Sequence, residues 1–264
     1  MTDSGQVDAS AAEVYDELFL PALFAGWPAR LLETLELAPG MRVADVACGT
    51  GVLTLAAAEA VGPTGAALGI DLNPGMLAVA RRKAPAIEWI EAPAEDLPIE
   101  SASCDAVVSQ FGLMFFGDRR AALREMWRVL RPGGDLAVAV WDSLERNPGY
   151  AAATRLLDRT FGREVGDQLR APYALGDADA LRSLLVEAGV ERPEVARRAG
   201  EARFPSIRSW VQADVRGWTL SDQIDDAQLE RLVAEAEDEL GFLVTSDGSV
   251  CFDHPALIAT ARKP

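Results

Sequence analysis

A chain of 264 residues is long enough for one α/β domain with insertions or for two small domains. Its 49% hydrophobic and 25% charged residues suit a globular core, and its formal charge of −16 argues against nucleic acid, which demands clustered Lys and Arg. Three scattered cysteines, Cys48, Cys104 and Cys251, argue against a disulfide framework or a zinc site, so no metal is expected.

Met1 to Gln6 is polar and lacks the layout of a signal peptide, and no apolar run approaches the roughly 20 residues that cross a bilayer. A cytoplasmic protein without membrane association is the expectation. From residue 41 to 141, short apolar runs alternate with helical patterns, the signature of βαβ units and a parallel sheet. Met41 to Ala47 reads as a first strand, followed by a helix from about Gly51 to Val61. After the turn Gly62-Pro63-Thr64-Gly65, Ala66 to Ile70 reads as a second strand ending at Asp71. Asn73 caps the next helix with Pro74 at its first position, where a missing N–H costs nothing. Ile87 to Ile90 and Asp105 to Ser109 are the third and fourth strands. Asp118 caps a helix through Leu130, Pro132-Gly133-Gly134 stops it, and Leu136 to Trp141 is the fifth strand.

Beyond Trp141 the pattern predicts helices over Asn147 to Phe161, Asp177 to Ala188, Ile207 to Trp218 and Ala227 to Leu240. Val190 to Arg198 reads as an edge strand, because it carries Pro193 and many charges. Val250 to Phe252 and Ala256 to Ala261 read as a closing pair of strands. One domain over 1–264 is expected: a helical cap (1–35), a ligand-binding core (36–141), helices, edge strand and lid (142–246), and closing strands (247–264).

The chemistry concentrates in Val43 to Gly51. Gly49 and Gly51 let a ligand approach the backbone between the first strand and its helix, and Asp71, twenty residues after Gly51, stands where a carboxylate accepts ribose hydroxyls. Dinucleotide-binding folds share those features. Two details differ: Thr54 replaces the third glycine of G-x-G-x-x-G, and Asp45 stands at the strand end. A carboxylate there repels a pyrophosphate but attracts S-adenosylmethionine, which carries an ammonium, a sulfonium and no phosphate. The other reading of Asp45 is that it orders the turn by bonding backbone amides. Past the third strand, Ala94-Glu95-Asp96-Leu97-Pro98 could read an adenine edge or be an ordinary acidic loop. Ser109-Gln110-Phe111-Gly112 follows the fourth strand at the edge where ligands bind in open α/β sheets.

Asp45 to Gly51, Gly69-Ile70-Asp71, Ala94 to Pro98, Asp105 to Gln110 and Val129 to Gly134 fall in the order and spacing of one family. Over residues 10 to 141 the chain resembles class I S-adenosylmethionine-dependent methyltransferases related to the ubiquinone/menaquinone-biosynthesis C-methyltransferases. The resemblance implies a Rossmann-like α/β/α sandwich whose seven-stranded, mostly parallel sheet has an antiparallel last strand, with a helical lid. It implies S-adenosylmethionine as cofactor and S-adenosylhomocysteine as product. Asp45 with Ala47, Cys48, Gly49 and Gly51 would hold the methionine part, and Asp71 the ribose. Leu72 and Met76 would flank the adenine, Ala94 and Glu95 would read its edge, and Ser109, Gln110 and Phe111 would sit near the methionine end. Many relatives have Asp or Asn before the Ala-Glu pair; Pro93 stands there here, which shifts adenine recognition onto Glu95.

The partner expected is a small-molecule methyl acceptor bound under an aromatic lid. Tyr15, Phe19, Phe24 and Trp27 precede the first strand, and family layout sets Tyr15 and Trp27 over the cofactor. Trp210 and Trp218, about two helical turns apart, suggest packing. In-line methyl transfer needs a base only where the acceptor must lose a proton, and His254, Asp142 and Tyr15 are the candidates. A nicotinamide-dependent oxidoreductase and a non-catalytic cofactor-binding protein are the alternative readings.

Overall fold

The apolar runs between residues 41 and 141 are strands sandwiched between helices. The computed structural model describes residues 9–217, 220 and 223–264. It contains β1 (Arg42–Val46), β2 (Ala66–Asp71), β3 (Glu88–Glu91), β4 (Cys104–Gln110) and β5 (Leu130–Trp141). They lie parallel in the order β3-β2-β1-β4-β5. Val43, Ala44, Val46, Ala106, Val107 and Val108 are buried, as a parallel sheet covered on both faces requires. The strand order reverses between β1 and β4, so the crevice at their carboxyl ends is where this topology binds ligands.

Three helices make the crossovers: α3 (Val52–Val61), α4 (Pro74–Lys83) and α5 (Arg119–Val129). The expected caps form: Asn73 Oδ1 accepts from the amides of Gly75 and Met76, at 2.8 and 3.2 Å. Asp118 Oδ1 likewise accepts from Arg120 and Ala121, at 3.1 and 2.9 Å. The fifth strand differs from expectation at its start. The α5 helix ends at Val129 and Leu130 already pairs with Cys104, while Pro132 to Gly134 are absorbed in a register shift before Ala106 meets Asp135.

Beyond β5 lie 3-10 turns at Leu144–Arg146 and Ala171–Tyr173, helices α6 (Pro148–Phe161), α7 (Arg163–Arg170) and α8 (Ala178–Glu187), and strands β6 (Glu194–Arg198) and β7 (Glu201–Phe204). Then come α9 (Ile207–Arg216), α10 (Asp226–Glu239), β8 (Val250–Asp253) and β9 (Ala256–Arg262). The antiparallel β9 lies between β5 and β6 and completes seven strands, with β6 at the edge as its charges foretold. The expected closing pair is corrected. The β8 strand pairs with the unforeseen β7 in a separate two-stranded sheet, not with β9. The cause lies at the joint, where His254 N donates to Gly200 O (2.8 Å) while Pro255 O accepts from Asp142 N (3.1 Å). Consecutive residues thus bind different layers.

The amino-terminal cap is α1 (Ala9–Val14), a π-helical segment (Tyr15–Phe24) and α2 (Trp27–Leu32). Pro21 lies inside the π segment, where the wider turn tolerates its missing N–H and its ring, and Ala25 N closes the segment on Leu20 O at 2.8 Å. Trp210 is buried in α9, consistent with packing; Trp218 lies outside the described residues. No helix among the described residues is long and apolar enough to cross a membrane.

Candidate active site

At the end of β1 the chain turns sharply: Ala47, Gly49 and Gly51 have φ of 60°, 54° and 89°. A non-glycine residue in the left-handed region is strained, and Ala47 holds it beside a second such residue, Phe111 (φ 57°), after β4. The two loops touch, since a Cβ added at Gly112 would stand 2.5 Å from that of Ala47. Cys48 N ties the first loop to β2 through Ile70 O at 3.0 Å, and Cys48 is buried, which pushes its thiol pKa well up. Trp89 of β3 backs the loop. A Cβ at Gly51 or Gly69 would fall 2.5 or 2.3 Å from its ring, so both glycines are required by one indole, whose Nε1 donates to Ala84 O.

Asp45 is 1% exposed, and its Oδ2 accepts from Thr54 Oγ1 at 2.6 Å. Burial pushes its pKa up to about 7, opposed by the Thr54 hydroxyl and reinforced by the negative charge of Asp71. Its Oδ1 has no partner among the described residues, while the Thr54 backbone amide joins the hydroxyl in favouring the carboxylate, so the turn-ordering role stands beside the ligand-binding one. Thr54, met in the sequence as a missing glycine, is Asp45's hydrogen-bond donor. Asp71 accepts from Gly49 N and Asn73 N, each at 2.8 Å, and burial raises its pKa despite them. Tyr15 is half-buried nearby. Burial and the charges of Asp71, Asp16 and Asp45 push its hydroxyl pKa far up.

At the carboxyl ends of β1 and β4, Thr50 Oγ1, Ser109 Oγ and Gln110 Oε1 are also buried without partners among the described residues. Gln110 Nε2 reaches Phe24 O at 3.5 Å. With Asp45 Oδ1 they give four orphaned oxygens on the β1 and β4 loops. A buried polar group without a partner is costly, so such a cluster is what a polar ligand would satisfy. Two of the four oxygens, Asp45 Oδ1 and Gln110 Oε1, can only accept, and with the negative charge of a buried carboxylate they suit a cationic ligand and disfavour a pyrophosphate. The residues present therefore fit S-adenosylmethionine.

The adenine-side residues are less tightly gathered. Leu72 is exposed, whereas Met76 is buried with Ala12 and Val79 against Tyr15. Ala94 is buried, and Glu95 Oε1 accepts from Asp118 N at 3.1 Å, so part of its capacity already serves the α5 cap region.

Above the carboxyl edge runs a chain of rings. Phe111 stacks on Trp141 (centroids 3.6 Å apart, 13° between planes), and Trp141 meets His254 at 3.9 Å. Trp27 packs edge-on to Phe111 and Trp141, and Phe24 lies 5.6 and 5.7 Å from the same two. Tyr15 contacts Phe24 at 5.2 Å, joining the cap to this wall. Of the expected bases, Asp142 is fully buried, paired with Arg197 and bonded by Ser143 N at 2.8 Å. Those bonds tie one oxygen to the post-β5 turn and the other to Arg197 of β6. His254 is 1% exposed and neutral, its pKa pushed down to about 3 by burial.

The crevice at the β1/β4 switch point and its buried carboxylate define a class I methyltransferase fold with a site for S-adenosylmethionine. Residues 43–134 match the methyltransferase domain family. The demethylmenaquinone methyltransferase of Staphylococcus carnosus is 32% identical over 188 residues, 66% of this chain and 78% of the relative. That of Staphylococcus aureus is 41% identical over 111 residues, which span 41% of this chain and 46% of the relative. Among solved structures, phosphoethanolamine N-methyltransferase 2 of Haemonchus contortus superposes with a TM-score of 0.62 at 19% identity, covering 97% of this chain and 57% of that one. The YcgJ protein of Bacillus subtilis gives 0.61 at 17% identity, over 90% and 98%. The chain belongs to the family of S-adenosylmethionine-dependent methyltransferases that contains the demethylmenaquinone methyltransferases. Its reaction is methyl transfer from that cofactor.

Proposed function

We propose that this enzyme, acting as one domain in the cytoplasm, methylates a small planar acceptor of the quinol class. The observation that carries the reading is the wall of Phe24, Trp27, Phe111 and Trp141, which begins at Phe111 beside the orphaned Gln110 Oε1. Aromatic rings stack favourably on a planar ring. The names of the Staphylococcus relatives support the same class.

In this reading Asp45, Ala47, Cys48, Gly49 and Gly51 hold the methionine end, together with Ser109, Gln110 and Phe111. Asp71 takes the ribose, Leu72 and Met76 the adenine faces, and Ala94 and Glu95 the adenine edge. Tyr15 and Trp27 close the cap over them. The cofactor supplies an electrophilic methyl on sulfur. The protein's contribution is alignment and exclusion of water, which by themselves account for a large part of such an acceleration.

The test is transfer of a labelled methyl group to a panel containing a naphthohydroquinone, simple phenols, amines and carboxylates. Label entering the hydroquinone alone supports the reading; label entering only an amine or a carboxylate refutes it. Absence of any product despite tight S-adenosylhomocysteine binding by calorimetry would favour a non-catalytic binding protein.

A further inference from the structure

Four buried polar side chains from the segments after β5 play no part in the cofactor site. His254, Tyr173, Tyr150 and Asp214 are 1%, 8%, 3% and 8% exposed and lie among rings. Tyr150 Oη donates to Asp214 Oδ1 at 3.2 Å, and Tyr173 Oη lies 2.9 Å from His254 Nε2. The His254 ring packs against Trp141 on one side and reaches Tyr150 (5.2 Å), Tyr173 (6.0 Å) and Phe252 (6.2 Å) on the others.

The tautomer follows from these partners. A phenol buried in an apolar wall gives its proton to an acceptor within reach, and for Tyr173 among the described residues that acceptor is His254 Nε2. The imidazole proton therefore sits on Nδ1. Nδ1 is buried and has no hydrogen-bond partner among the described residues. The ring stays neutral across the physiological range because burial holds its pKa near 3, so the tautomer does not change with pH there. The result is a fixed N–H donor inside an aromatic enclosure.

Its location gives the donor a purpose. His254 stands directly before β9, whose first residue Ala256 pairs with Trp141, the last residue of β5. It is therefore on the carboxyl edge of the sheet, separated from Phe111 by the single ring of Trp141. We propose that His254 Nδ1–H binds an oxygen carried on the ring of the methyl acceptor, and that Tyr173 is the positioning residue that fixes the donor's tautomer. This rests on the planar-acceptor reading above and adds to it a required substituent. The acceptor must present a ring oxygen, and a donor at that oxygen fixes where the ring lies beside Trp141.

His254 is the chain's one histidine, so selective 15N-histidine labelling gives the spectrum of a single imidazole. The probe is 1,4-dihydroxynaphthalene in reducing buffer, added to the enzyme saturated with S-adenosylhomocysteine. The expected result is an Nδ1–H signal that moves downfield on saturation while Nε2 keeps the shift of an unprotonated nitrogen. Tyr173→Phe should release the tautomer and raise KM for the hydroquinone about tenfold at unchanged cofactor affinity. His254→Asn, whose amide can stand in for Nδ1–H, should retain more turnover than His254→Phe. An imidazole spectrum unmoved by a hydroquinone that is nonetheless methylated would overturn the His254 role and leave the acceptor reading intact. Label passing only to acceptors without a ring oxygen would overturn both.

Discussion

Replacing Asp45 by Asn should stabilise the cofactor-free protein at alkaline pH while weakening cofactor binding. The carboxyl is buried with one oxygen bonded to Thr54 and the other unpartnered, and its folded pKa is pushed up to about 7. The folded chain therefore holds this proton more tightly than the unfolded chain does. Native stability is undiminished by Asp45 at strongly acid pH, falls as pH rises through the unfolded value towards the folded one, and levels off above it. Taking an unfolded value of about 3.9, linkage puts the penalty at about 1.5 kcal/mol at pH 5 and about 4 kcal/mol at pH 8. Asn keeps an oxygen for the Thr54 hydroxyl and carries no charge. Its advantage over wild type should thus grow by about 2–3 kcal/mol between those two pH values, or about 5–10 °C in Tm for a chain of this size. Thermal unfolding of both proteins across that range measures it directly, and calorimetry with S-adenosylhomocysteine should show weaker binding to the variant. A stability difference that does not widen with pH would refute the account of Asp45 as a carboxylate held in reserve for a cation.

Wild-type affinity for S-adenosylhomocysteine should fall as pH drops below about 7, because binding the ligand's ammonium ionises Asp45; calorimetry in buffers of different ionisation enthalpy would detect the released proton. Thr54→Val removes the hydroxyl that favours the carboxylate, and should move that pH dependence to higher pH without unfolding the protein. Asp71→Ala should weaken S-adenosylhomocysteine binding about 10- to 100-fold, through loss of a charge-assisted partner and of the amide clasp on Gly49 and Asn73; an unchanged dissociation constant counts against both. Gly69→Ala should lower Tm and cofactor affinity together, since its methyl would need the place of the Trp89 ring, and Gly69→Ala with Trp89→Leu should recover part of the loss.

What could be read in the sequence was what short-range chemistry determines. Asn73-Pro74 and Asp118 announce helix starts because a side-chain oxygen two or three residues ahead of free amides has little else to do. The β1 loop was legible for the same reason: glycine spacing and a strand-end carboxylate are local facts. Long-range partners were not legible. Nothing within a few residues of Thr54 shows that its hydroxyl turns back to Asp45, and Glu95 meets the Asp118 amide twenty-three residues on. Trp89 does leave a local signal, since a glycine inside a strand, Gly69, marks a close approach by something large. Glu201-Ala202-Arg203-Phe204 is too short to declare itself, and without it β8 had no visible partner but β9. Of the aromatic wall only Phe24 and Trp27 are legible as lid aromatics; Trp141 reads merely as a strand end, because Phe24, Phe111, Trp141 and His254 come from four separate segments.

The placement of β9 also bears on how the molecule assembles. Pairings within β1 to β5 span up to roughly sixty residues, as Val43 with Ala106, but β6 touches the sheet only through β9, whose pairing with β5 joins residues more than a hundred positions apart. Contacts of that span are slow to form. An intermediate with the cofactor half folded and the β5 edge bare is therefore the natural waypoint, and β5, among the most apolar strands of the sheet, would be its sticky surface. Because His254 and the Trp141 contact arrive with β9, the nascent enzyme would gain its grip on the cofactor before it gains a place for the acceptor.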